Sequence, residues 1–219
     1  MKEISIKRFG CYILYLLSIH VIALFIFFVF RFTLFCSVDY QFPAEIKSDI
    51  VLQSVAFLRG LWFDNVVACY ILLLPLVILW IAAICNYTAK WLFKVLTVYF
   101  ICFYSVSFII AAANIPYFEY FFKTINSSIY NWFSYVGTTA GMVFSESSYY
   151  FPIFLGLLSI VAFGWGASFL ASYFYCQAGK TVPRTNWLSR IVVLVAGGQV
   201  QFVSVFACSV FVDAWDTIR

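Results

Sequence analysis

Charge is the scarcest thing in this sequence. Of 219 residues only 10% are Asp, Glu, Lys or Arg, whereas soluble domains carry about a quarter. A water-facing surface cannot be built from so few. Histidine occurs once, as His20, and the seven cysteines at 11, 36, 69, 85, 102, 176 and 208 contain no CxxC pair and no neighbouring histidine. That excludes a zinc ribbon or a dithiol redox centre and leaves the cysteines as small apolar fillers. Nothing in the spacing supports a disulfide, although Cys36 and Cys208 fall on the same face of the chain as assigned below. The glycines include no GxxxxGK or GxGxxG, so no phosphate-cradling loop is encoded. No His, Cys, Asp or Glu cluster has metal-ligand spacing, and no nucleophile can be paired with a base. No catalytic residue, metal site or cofactor is therefore expected in this chain, and no nucleic-acid partner. Repeats and low-complexity linkers are lacking too, so residues 1–219 read as a single domain.

What is present in abundance is apolar surface: 65% hydrophobic residues, with 27 Phe and 15 Tyr. These belong against lipid or against one another, which makes the chain an integral membrane protein of the all-α class. Crossing about 30 Å of hydrocarbon at about 1.5 Å per residue takes some twenty residues. Five segments qualify as transmembrane helices, at about 10–30, 65–85, 95–113, 151–174 and 191–211. The first follows a positive start, MKEISIKRFG, but is longer than a signal-peptide core and is followed by Arg31 with no small-x-small cleavage site. It is expected to remain as the first span. His20 lies near its middle with no acid at comparable depth, and reads as a packing residue needing a hydrogen-bond partner. In the fourth span, Gly164 with Ser168, Ala162 with Gly166 and Ala167 with Ala171 are small residues four apart, which let a neighbouring helix approach closely.

The basic residues set an orientation. With the N-terminus inside, Lys2, Lys7, Arg8, Lys90, Lys94, Lys180, Arg184 and Arg190 face the cytosol. Arg31, Lys47, Arg59, Lys123 and Arg219 face out, as do all the acids except Glu3. Eight basic residues against one acid give +7 inside, and five against eight give −3 outside. The expected topology is N-terminus in and C-terminus out, in a bacterial cytoplasmic membrane.

Both outer loops are longer than the inner ones, and they hold the candidate binding residues. In the first, residues 45–58 alternate polar and apolar and are expected to form an interfacial helix. It leads into FLRGLWFDNVVACYILLLPLVIL at 57–79, where Arg59, Trp62 and Asp64 stand at the mouth of an uncharged run. Charges there are tolerable because the interface is wet; at mid-bilayer each would cost about 2.5 to 3.5 kcal/mol. A guanidinium grips a phosphate bidentately, which ranks Arg59 first as a headgroup ligand, although a snorkelling arginine would look the same. In the second loop, Asn114 and Pro116 mark a bend into an amphipathic helix that lies flat on the membrane. Phe118, Phe121, Phe122, Ile125 and Ile129 recur at helical spacing on its apolar side. Glu119 and Lys123, four apart, can pair on its polar side for about 0.2 to 0.5 kcal/mol. Asn114, Tyr117, Glu119 and Lys123 complete the proposed headgroup set.

The FLRGLWFD run at 57–64, the LLLP run at 72–75 and the NIPYFE turn at 114–119 resemble the membrane half of the lipoteichoic acid synthase family. These are sulfatase-like enzymes of bacterial envelopes, similar also to lipid A phosphoethanolamine transferases. The resemblance covers about residues 1–198 and implies five spans with the C-terminus outside. It also implies transfer of a phosphoglycerol or related group from a membrane phospholipid. In the family that chemistry belongs to an extracytoplasmic domain with a threonine nucleophile and a divalent metal, and no such domain is encoded in these 219 residues. IVVLVAGG at 191–198 resembles the family's fifth span, after which Gln199, Gln201 and the tail FACSVFVDAWDTIR depart from it. A frame disruption near residue 199 is the expected cause. The function implied is a membrane anchor that binds lipid headgroups and is inactive alone, with membrane phospholipid and an envelope enzyme as partners. The competing readings are a small transporter or channel subunit, which the near absence of ionisable residues within the spans disfavours, and a membrane partner protein.

Overall fold

Four long helices account for the described chain, a computed structural model that covers residues 3–38, 49–85, 87–121 and 149–180. They are α1 (Glu3–Val38), α2 (Ile50–Ile84), α3 (Lys90–Phe121) and α4 (Tyr150–Lys180). All four are long and apolar enough to cross a membrane. They correspond to the first four expected spans, each extended at one or both ends. The fifth, at 191–211, lies outside the described residues, so the structure supports an all-helical protein with four such helices.

Each helix buries a stripe at the three-and-four spacing of an α-helix and leaves large apolar residues exposed on its other side. On α1 the buried stripe is Tyr12, Tyr15, Ile19, Ala23, Phe27 and Phe30, while Leu17, Val21 and Phe25 face outward. On α3 it is Phe93, Phe100, Tyr104, Phe108 and Ile115. An apolar exterior around an apolar interior is what a bilayer selects, since burial there gains packing contacts and not removal from water. α1 is the central helix and packs against the other three, and α4 packs along α3. Aromatic rings fill the seams: Tyr15 to Phe93 at 5.4 Å, Phe27 to Phe108 at 5.2 Å and Tyr104 to Phe163 at 4.8 Å between centroids. Of the small pairs on α4, Ala167 and Ala171 are buried against its neighbours, whereas Ala162 and Ser168 are exposed. A Cβ on Gly156 would stand 3.3 Å from Ala112 Cβ of α3, and one on Gly166 would stand 3.7 Å from Ile22 of α1.

α2 and α3 meet only narrowly, which leaves a lateral opening between them. At one end of the bundle α1 is tied to the α2–α3 connection, where the Tyr12 hydroxyl lies 3.2 Å from the Tyr87 carbonyl and 2.8 Å from Thr88 Oγ1. A second tie sits deeper. Pro75 is buried inside α2 and has no N–H for the carbonyl of Ile71 one turn earlier. The Tyr99 hydroxyl of α3 donates to that carbonyl at 3.1 Å. A neighbouring side chain thus restores the bond that proline removes, as hydrocarbon requires.

Two local expectations are corrected. The separate interfacial helix at 45–58 is not seen where the structure describes it: residues 50–58 are the first turns of α2. Asp49 caps that helix by accepting from Leu52 N at 3.0 Å, and no breaker follows before Gly60. Nor does α3 end at Asn114 and Pro116; it runs on to Phe121 with Pro116 inside it. A proline leaves only one carbonyl unbonded and the local backbone tolerates that, particularly near a helix end. The remainder of the expected amphipathic helix, 122–136, lies outside the described residues.

Candidate functional site

The end of the bundle opposite Tyr12 carries an arginine that lies just past the first expected span, 10–30. Arg31 lies inside α1, and its guanidinium crosses to α2. Nη2 donates to Asp64 Oδ1 at 2.8 Å and to Oδ2 at 3.0 Å, and Nε donates to Oδ2 at 3.2 Å. Nη2 also reaches the carbonyl of Gly60, one turn earlier, at 3.0 Å. Residue 60 has to be glycine for this geometry, because a Cβ there would stand 2.7 Å from Arg31 Cζ. The two side chains are 21% and 17% exposed. At that depth loss of one partner would strand the other's charge.

The pair forms part of the wall of a cavity of about 390 Å³, within the size range of small-molecule sites. Phe27, Phe30 and Leu34 of α1, Phe63 and Val67 of α2, and Ile110 of α3 give it apolar sides. Asn114 and Ser107 add polar atoms from α3. Nε and Nη2 of Arg31 are engaged by α2, while Nη1 has no hydrogen-bond partner among the described residues. The arrangement therefore sets a fixed, partly shielded guanidinium in the wall of an apolar cleft. Such a site suits an anionic oxygen attached to an apolar body.

Of the residues singled out by sequence, Asp64 and Asn114 come together on this cavity. Arg59 and Trp62 are exposed on α2 and do not line it. Tyr117 and Glu119 are half-buried further along α3, and Lys123 lies outside the described residues. The partner of Asp64 is thus Arg31 of another helix and not its near neighbour Arg59. A usable signal existed: Arg31 and Asp64 have opposite charge and fall at the same end of adjacent antiparallel spans.

His20 has the partner its depth demands. Its Nε2 lies 3.1 Å from Asn65 Oδ1, so adjacent residues of α2 hold α1 through two polar contacts. Its Nδ1 is buried with no hydrogen-bond partner among the described residues. Among those residues no three His, Cys, Asp or Glu side chains gather as a metal site, and Cys11, Cys36, Cys69, Cys85, Cys102 and Cys176 are free thiols. No protein-family model, no curated protein and no solved structure matches the chain.

Proposed function

We propose that this chain is the membrane-embedded, headgroup-binding unit of a lipoteichoic acid synthase-like transferase. The Arg31 end faces away from the cytosol and the N-terminus faces in. Its task in this reading is to hold a phospholipid of the outer leaflet for transfer of a phosphoglycerol or related group. The transfer itself, with its divalent metal, belongs to a sulfatase-like catalytic domain or an envelope-enzyme partner.

One observation carries the reading: Arg31, held by Asp64, lines a cavity with apolar sides to which Asn114 also contributes. A phosphate diester has the charge for the guanidinium, and its glycerol backbone and chains suit the walls. Asp64 fixes the guanidinium by occupying Nε and Nη2. Arg59, exposed on α2 near the same end, adds a weaker solvated attraction for headgroups.

The test is phosphatidylglycerol binding to the full chain in phosphatidylcholine nanodiscs. Replacing Arg31 and Asp64 together, R31Q with D64N, avoids a stranded carboxylate and is expected to weaken binding at least fivefold. R59A is expected to weaken it about twofold. Unchanged binding in the double variant would reject the headgroup assignment.

A further inference from the structure

The lateral opening between α2 and α3 continues the Arg31 cavity toward the middle of the bundle. Here a second cavity of about 390 Å³ is lined by Tyr70 and Ile71 of α2 and by Cys102, Phe103 and Val106 of α3. Val67 and Ser107 line both cavities, so the two form one groove. Tyr70, Phe103 and Val106 are half exposed, which makes the deep part open sideways to lipid. Below it the Tyr99 hydroxyl reaches the Ile71 carbonyl and ties the two helices together.

We propose that this groove seats one acyl chain of a glycerophospholipid that enters sideways from the leaflet at the Arg31 end, with its phosphate at the guanidinium. The inference rests on the headgroup reading above and adds where the lipid's chain lies, in the groove between α2 and α3.

Three features select this occupant. The deep cavity offers water little, because the Ser107 hydroxyl already donates to the Phe103 carbonyl at 3.1 Å and the other lining side chains are mostly apolar. Apolar cavities stay dry, and in a bilayer the fluid available to fill one is hydrocarbon. The length also fits. From Asn114 at the charged end to Phe103 in the deep part is eleven residues of α3, about 16 Å at 1.5 Å per residue. Half of a hydrocarbon core of about 30 Å is one leaflet, which is the reach of one chain. Finally, charge sits at one end only, where the Arg31 and Asp64 pair meets the groove. The groove therefore has the polarity of a lipid and sets its direction.

Photolabelling tests this. The full chain is placed in phosphatidylcholine nanodiscs with phosphatidylglycerol carrying a mid-chain diazirine, irradiated and mapped by peptide mass spectrometry. Adducts on Tyr70, Cys102, Phe103 and Val106 are expected at least fivefold above those on Trp165 and Phe169, which are exposed on α4 and report ordinary annular lipid. V106W, which fills the groove from its open side, is expected to remove groove adducts and leave those on α4. Equal labelling of groove and α4 in the unsubstituted chain would overturn the proposal without any variant having to fold. The two readings fail separately. If R31Q with D64N lowers phosphatidylglycerol affinity while groove labelling never exceeds that of α4, the headgroup site stands and the chain seat falls. If groove labelling exceeds that of α4 and is unchanged in the double variant, the seat stands and the headgroup site falls. Loss of headgroup binding to millimolar glycerol phosphate, with groove labelling no greater than that of α4, would identify a soluble ester as the ligand and overturn the seat.

Discussion

Gly60→Ala puts two well-measured effects in opposition. In a helix interior alanine is favoured over glycine by about 1 kcal/mol, so propensity alone makes G60A stabilising. The new Cβ, however, would stand 2.7 Å from Cζ and Nε of Arg31 and 2.8 Å from Nη1. An untethered guanidinium would swing aside at little cost. This one is held by Asp64 and by the Gly60 carbonyl, so moving it breaks at least one charge-assisted bond. Such bonds contribute about 1.5 to 3 kcal/mol each, and the net expectation is destabilisation by about 0.5 to 2 kcal/mol. The assay is reversible unfolding of the full chain in bicelles, followed by steric trapping, for G60A in two backgrounds. In the native background stability should fall. In R31M, where no guanidinium lies over residue 60, the same substitution should raise stability by about 1 kcal/mol. A gain in the native background, or the same effect in both, would refute the packing of Arg31 on the α2 backbone.

Two further substitutions test the ties that position the groove. Tyr99→Phe leaves the Ile71 carbonyl beside Pro75 without its donor and should cost about 0.6 to 1.7 kcal/mol, the span found for hydrogen bonds between membrane helices. In a P75A background, where residue 75 supplies its own N–H, Y99F should be nearly neutral; unfolding measured in both backgrounds checks the coupling. Tyr12→Phe removes contacts to Tyr87 and Thr88 at the opposite end and should cost about 0.5 to 1.5 kcal/mol. It should leave phosphatidylglycerol binding unchanged in the nanodisc assay, since that end does not touch the Arg31 cavity.

The apolar spans were plain in the sequence because length and hydropathy are local properties. Helix ends were less so. The apolar run ends at Phe30, before Arg31, yet α1 continues to Val38. A charge near the end of a span does not terminate a helix when another helix supplies its counter-ion. The same reasoning explains Pro75 and Pro116, each kept inside a helix. Proline removes a hydrogen bond locally, and whether that ends the helix depends on what replaces the bond or tolerates its loss.

The candidate site shows the same division. Asp64 and Asn114 are recognisable as polar groups at the mouths of spans, whereas Arg59 ranks first on guanidinium chemistry that Arg31 shares, and nothing along the chain says which arginine Asp64 meets. Proximity along the chain is a poor guide on a helix. Residues five apart point in different directions, while residues 33 apart on antiparallel neighbours meet at 2.8 Å.

By itself the sequence determined the solvent of this protein and the presence of membrane-spanning helices, because burial in hydrocarbon depends on how many apolar residues stand in a row. Only the tertiary structure decided which charge meets which, why residue 60 is glycine and where a groove remains open. Those are matters of distance between helices, and no single helix carries the distance to its neighbour in its own residues.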